Sequence, residues 1–197
     1  MEPGQGFCAS NPAKLETRKR QNGDDHEPDV LSLASVRKLL DAARRFKEGK
    51  LVPYVALGLF CAIRPTELAR LSWREIDLDA KTVTIGAKLA KMRSRRIVDI
   101  SDNAIAWLAP CAGQPAAIKG PNWRKEFNQV RKLASIRHWT QDVLRHTGVS
   151  HHLAFHQHEG KTAAWAGNSP DVVQKHYRGL VKRSESAEFW ALRPTMA

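Results

Sequence analysis

No stretch of this 197-residue chain approaches the roughly 18 consecutive apolar residues that a membrane-spanning helix needs. Nor does the N-terminal segment carry the apolar core of a signal peptide. Cysteine is scarce. Cys8, Cys61 and Cys111 are odd in number, far apart and form no CxxC, so neither a disulfide framework nor a cysteine zinc site is indicated, and a reduced, cytoplasmic compartment fits. Acidic residues are in deficit, 20 against 32 Lys and Arg, which leaves a net charge of +12. That balance favours a polyanionic partner such as nucleic acid, or an anionic membrane surface. There is no internal repeat. The length suits one domain with a short appendage and suffices to bury a core.

Residues 1–29 are rich in Gly, Pro, Asn and charge, with a basic run from Lys14 to Arg20 followed by Asp24-Asp25-His26-Glu27-Pro28. They read as an extended linker, either a tail without a partner or a strip along a DNA backbone. Order begins at Leu31-Ser32. Ser32 or Ser35 caps a helix through Phe46 that places Val36, Leu39, Leu40 and Ala43 on one face. Leu51 to Cys61 is continuously apolar and reads as a buried helix. Pro65 and Glu67 then suit the first turn of another, with Leu68 and Leu71 inward. Arg64 sits at that junction. Its charge there is satisfied either by an ion pair with Glu67 or another acid, or by an anion held with help from the helix start.

The period then changes. Lys81-Thr82-Val83-Thr84-Ile85 and Arg96-Ile97-Val98-Asp99-Ile100 alternate as strands, and the segment between them carries Lys88, Lys91, Arg93 and Arg95. Such a basic hairpin either reaches DNA or is simply a solvated tip. Short helices follow at Ser101–Leu108 and at Trp123–Ala134, the latter with Phe127, Val130 and Leu133 apolar and Arg124, Lys125, Arg131 and Lys132 solvated. Further helices span Val143–Phe155, Thr162–Ala166 and Asp171–Tyr177, the last started by Ser169-Pro170. In Ser184–Leu192, Ala187, Trp190 and Ala191 form the apolar stripe.

Arg145 opens one of these helices and Tyr177 closes another, flanked by His176 and Arg178. A planar guanidinium fork suits phosphate oxygens, and a phenol oxygen can attack a phosphodiester to form a covalent intermediate. The nearby His146, His151, His152, His156 and His158 crowd one region. His152 and His156 have the i, i+4 spacing of metal ligands, but no cysteine and few acids accompany them, so no metal is expected.

Three segments in order carry a resemblance. They are Arg64-Pro65-Thr66-Glu67-Leu68-Ala69-Arg70-Leu71-Ser72-Trp73 with Ile76-Asp77-Leu78, then Leu144-Arg145-His146-Thr147, then Gly167-Asn168-Ser169 through Tyr177. Together they resemble the catalytic domain of the tyrosine recombinase (phage integrase) family over residues 31–182. The resemblance implies an α+β, mainly α-helical fold with a small antiparallel sheet, and cofactor-free DNA cleavage and rejoining through a 3′-phosphotyrosyl link. By position, Arg64 and Arg145 would clamp the scissile phosphate and Tyr177 would attack it. Lys91 would protonate the leaving 5′ oxygen, with Lys88 a competing assignment. Lys88, Arg93, Arg95, His146 and Arg178 would face DNA, although His146 also suits a structural role.

Two positions depart from the family pattern. Asp142 and Asn168 stand where histidine is usual. Asp142 can accept a proton, and Asn168 can donate a hydrogen bond to a phosphoryl oxygen but cannot shuttle protons near neutral pH. A slow or specialised recombinase of a subfamily bearing this pair is therefore expected. Two other readings stay open: a DNA-binding relative with little or no cleavage, and a basic RNA-binding or scaffold module.

The expected organisation is a linker and the tail of a missing core-binding domain (1–29), a catalytic domain (30–182) and a C-terminal segment (183–197). In that last segment Phe189, Trp190 and Leu192 serve either a neighbouring protomer or their own domain. The expected partner is double-stranded DNA, bound as a homo-oligomer (a tetramer), with the isolated chain monomeric and no membrane involved. The expected setting is bacterial or phage-derived, cytoplasmic and nucleoid-associated.

Overall fold

The computed structural model describes residues 28–87, 95–113 and 118–195. Ser32 starts the first helix by accepting a hydrogen bond from Ser35 N at 3.2 Å. Helix α1 (Leu33–Arg45) buries Val36, Leu39, Leu40 and Ala43, as the helical period requires. In α2 (Val52–Phe60) every residue is buried. A helix that is apolar all round has no face for solvent and belongs at the centre. It packs against α1, α4 (Asp102–Leu108) and α6 (Val143–His156). At the α2–α6 crossing a Cβ on Gly148 would lie only 2.0 Å from the Leu59 carbonyl oxygen, so the two backbones approach as closely as glycine permits.

After α2 the chain turns through Ala62, whose φ of 46° is left-handed, into the single-turn helix α3 (Pro65–Leu68). Leu68 and Leu71 are both buried as expected, Leu71 lying beyond the end of α3. The antiparallel sheet runs in the order β1 (Ile76–Asp77), β2 (Thr82–Ile85), β3 (Arg96–Asp99), with Val83 opposite Val98 and Ile85 opposite Arg96. Strand β1 was not expected, because two residues cannot display an alternation. The hairpin tip bearing Lys88, Lys91 and Arg93 lies outside the described residues, and Arg95 beside β3 is exposed.

Two apolar faces differ from expectation. In α5 (Trp123–Leu133) Phe127 and Val130 are buried, but Leu133 is 65% exposed. The helix ends there and Ser135 turns with a φ of 59°, so Ala134 takes the inward place. In α9 (Arg183–Ala191) the buried positions are Ser186 and Phe189, while Ala187 and Ala191 are exposed. Ser186 belongs inside because its hydroxyl donates to the His151 carbonyl at 2.6 Å. Phe189 stacks on the His151 ring at 4.0 Å and packs against Phe60 at 4.9 Å. Phe189, Trp190 and Leu192 thus pack on their own domain in this single chain.

Helices α7 (Glu159–Ala166) and α8 (Pro170–Tyr177) form a smaller layer against α6. Ser169 caps α8 through Val172 N, with Pro170 in the first turn. Ala62, Val149, Leu153, Ala163, Ala166, Val173 and Tyr177 make a second apolar cluster, separate from the main core. Among the described residues no helix is long and apolar enough to cross a membrane.

Candidate active site

Four chain segments meet where α2 ends and α7 turns into α8. Arg64, at the start of α3, donates through Nη2 to the Gly167 carbonyl at 2.8 Å and to Asn168 Oδ1 at 2.9 Å. Arg145, on the first turn of α6, is 3% exposed. It donates through Nη1 to the Ala62 carbonyl, and through Nη2 to the Ala166 carbonyl at 2.8 Å and to Asn168 Oδ1 at 3.0 Å. One amide oxygen therefore ties the two guanidinium groups together. The left-handed turns at Ala62 and Gly167 aim this stretch of backbone carbonyls at the arginines. Gly167 is required twice over, by its φ of 67° and because an added Cβ would stand 3.1 Å from Arg96 Cδ.

Glu67 is fully buried beneath this pair. Its carboxylate accepts from Arg64 N at 3.1 Å, lies 3.6 Å from Arg64 Nη1, and receives both Nη1 and Nη2 of Arg96 at 2.9 and 2.7 Å. Of the two readings for Arg64, the ion pair with Glu67 is thus present, but Glu67 is held chiefly by Arg96. Two guanidinium groups contact this one carboxylate, and Arg145 feels it only through space. The shortage shows in Arg145, whose pKa is pushed down to about 10, first by burial and then by the neighbouring Arg64. A buried Arg145 bonded to neutral carbonyls, beside a half-buried Arg64, is a site prepared for an anion.

Tyr177 ends α8 with its ring buried, and its hydroxyl lies 2.9 Å from His146 Nδ1. Burial raises the phenol pKa; Arg145 and Arg64 pull it down, while Asp142 pushes it up. The hydroxyl therefore lies within the electrostatic reach of both arginines. Asp142 caps α6 at its N-terminus in a left-handed conformation, φ 61°. The chain has two tyrosines, and Tyr54 is spent in the core between Trp123 and Phe127 at 5.0 and 5.3 Å.

The structure thus brings together Arg64, Arg145, Asn168, Tyr177, His146 and Asp142. It leaves Arg95 exposed on the hairpin side, and Arg178 exposed just beyond α8, where it lines a 490 Å³ cavity with Glu159 and Arg183. His152 is occupied, bonded to Thr162 Oγ1 at 2.8 Å and stacked on Trp165 at 4.2 Å. Among the described residues no group of three or more His, Cys, Asp or Glu is arranged to hold a metal ion.

The profile of the Phage integrase family matches residues 29–122, which include Arg64 and Glu67. The match covers just under half of the chain, and over that stretch the chain resembles this family. Solved structures match more of the chain. The crystal structure of XerA recombinase is 19% identical with a TM-score of 0.62, over 87% of this chain and 67% of that one. The catalytic domain of bacteriophage HP1 integrase is 18% identical with a TM-score of 0.60, over 85% and 90%. The Tn1549 transposon integrase, solved with a circular intermediate DNA, is 15% identical with a TM-score of 0.60, over 86% and 68%. At these identities the likeness is one of fold. No curated protein sequence matches the chain significantly.

Arg96 was not among the expected site residues. One signal was available. It lies two positions before the buried Val98 and so shares that strand's inward side. An arginine facing inward from a strand needs a partner, and the partner is Glu67.

Proposed function

We propose that this protein is a tyrosine recombinase that performs site-specific DNA recombination by cutting and rejoining DNA strands, with Tyr177 as nucleophile and Arg64 and Arg145 as the phosphate clamp. The observation that carries the reading is the pair of guanidinium groups tied by Asn168, with the Tyr177 hydroxyl bonded to His146, the residue next to Arg145. A phosphodiester between them supplies the anion that Arg145 lacks. As the Tyr177 oxygen bonds to phosphorus, charge builds on the non-bridging oxygens, and the fixed N–H donors favour that charge without having to reorganise. The bond from phosphorus to the 5′ oxygen then breaks, leaving a 3′-phosphotyrosyl link. The 5′ oxygen takes a proton from Lys91 of the hairpin. Attack by the 5′ hydroxyl of another strand reverses the step and joins the new pair.

In this reading Asn168 binds and Asp142 acts electrostatically, so the two departures from histidine leave the clamp intact. The exposed Arg95 and Arg178, with Lys88 and Arg93, track the backbone, and a tetramer on nucleoid DNA is the working assembly. Binding should weaken steeply with salt as phosphate contacts release counterions.

The test is covalent capture. The chain is incubated with negatively supercoiled plasmid, quenched with detergent and separated on a denaturing gel. Protein-linked DNA is expected from the parent and none from Tyr177→Phe. Adducts that persist in the phenylalanine variant would remove Tyr177 from the role.

A further inference from the structure

We infer that His146 is the group that takes the proton from Tyr177, with Asp142 behind it as the charge that steadies the protonated ring. The inference rests on the strand-cleavage reading for its chemistry, but the contact it starts from does not.

The contact is a ring nitrogen 2.9 Å from a hydroxyl oxygen, bridging α6 and α8 across 31 residues. Such a pair is joined in one of two ways. Either the phenol donates to a bare Nδ1, or a protonated Nδ1 donates to the phenol oxygen. Burial acts on both partners in one direction, lowering the pKa of His146 and raising that of Tyr177. The stable pairing near neutral pH is therefore a neutral ring and an intact phenol. A phenol with its proton is the natural donor, which puts the lone pair of His146 on Nδ1 and its hydrogen on Nε2.

The charged groups around the ring come from every element that packs on it. On α6, Asp142 favours the protonated ring and Arg145 opposes it. From α8, His176 opposes it, and from the segment before α1, Asp29 favours it. Asp142 precedes His146 by one helical turn, and its carbonyl accepts from His146 N at 2.8 Å. Asp142 acts on the ring through space, so phenol, imidazole and carboxylate take the roles of a nucleophile, its base and a charge that steadies the base. This gives Asp142 a use that a second histidine would not serve.

The step balances simply. The Tyr177 O–H bond breaks, its proton passes to His146 Nδ1, and the freed electron pair forms the bond to phosphorus. The bond to the 5′ oxygen breaks and that oxygen receives the lysine proton proposed above. In rejoining, protonated His146 returns its proton to the departing Tyr177 oxygen.

The experiment has two readings on the full chain. The first is nitrogen NMR on isotope-labelled histidine, assigned by difference against Tyr177→Phe. A bare, hydrogen-bonded Nδ1 that changes when the phenol is removed supports the inference. A hydrogen on Nδ1, or a ring charged at neutral pH, overturns it, because such a ring cannot accept. The second is the rate of adduct formation on supercoiled plasmid against pH. In the parent the rate rises with pH as His146 loses its proton. His146→Asn should lose this rise and slow the reaction on the order of 10²–10⁴-fold. Asp142→Asn should move the rise to lower pH, since Asp142 favours the protonated ring. A His146→Asn chain with the parent's rate and profile overturns the inference and leaves strand cleavage standing. A parent that forms no adduct overturns the cleavage reading itself, and the proton step with it.

Discussion

Arg96 holds both oxygens of the buried Glu67, Nη1 at 2.9 Å and Nη2 at 2.7 Å. This fork joins the sheet to the helix start that presents Arg64, because the same carboxylate accepts from Arg64 N. Replacing Arg96 with leucine leaves a buried carboxylate with only the Arg64 backbone N–H and the longer contact to Arg64 Nη1. The expected cost is about 3–5 kcal/mol, read from urea unfolding. Burial alone would raise the pKa of Glu67, but the bonds and charge of Arg96, with help from Arg64, hold it below its ordinary 4.5. A carboxylate with a depressed folded pKa stabilises fully above its unfolded value. That contribution is lost as pH falls through the folded value. Acid unfolding below about pH 4.5 should therefore be steeper in the parent than in a Glu67→Gln, Arg96→Leu double variant.

His151 and His152 should make the protein sensitive to milder acid. Burial lowers His151 to about 4, and burial with His156 and Lys161 lowers His152 to about 3. Below the unfolded value of 6.5 the unfolded chain takes up protons that the folded chain refuses. Stability therefore falls as pH drops from 6.5 towards 4, by at most about 1.4 kcal/mol per pH unit for each histidine. His151→Phe keeps a ring on Phe189 and removes an Nδ1 that is buried without a partner. That variant should lose its share of the slope, measured by chemical denaturation at a series of pH values.

Gly148→Ala should damage both fold and site. Its Cβ would meet the Leu59 carbonyl oxygen at 2.0 Å, a backbone atom that no rotamer change can move aside. Overpacking of this kind costs about 3 kcal/mol or more when backbone must shift. Because Arg145 and His146 stand three and two residues earlier on α6, their displacement should lower adduct formation even below the melting temperature. Calorimetry and the plasmid assay check the two effects.

Asn168→Leu tests the tie between the arginines. It keeps the volume but removes the oxygen that accepts from Arg64 and Arg145. A hydrogen bond to a charged group contributes about 1.5–3 kcal/mol, so adduct formation should slow by roughly 10- to 100-fold. Asn168→His, which keeps a hydrogen-bonding side chain at the same position, should slow it less. Equal rates for leucine and parent would remove Asn168 from the clamp.

Much of this protein was determined by the sequence alone. Ser32 and Ser169-Pro170 mark helix starts because a capping hydroxyl and a proline act within one turn. The all-apolar run through α2 had to be central because it offers water nothing. Arg64, Glu67, Arg145 and Tyr177 could be picked out because each lies beside such a local signal. Short range is also why Leu133, Ala187 and Ala191 stand outside against the helical period, since that period says nothing about where the chain turns away or which hydroxyl finds a carbonyl inside. What joins Arg96 to Glu67, Asn168 to both arginines and His146 to Tyr177 spans from 23 to 104 residues of chain. Only the tertiary structure decided these contacts, because they depend on how closely α2 and α6 cross at Gly148 and on how α7 and α8 fold back over them.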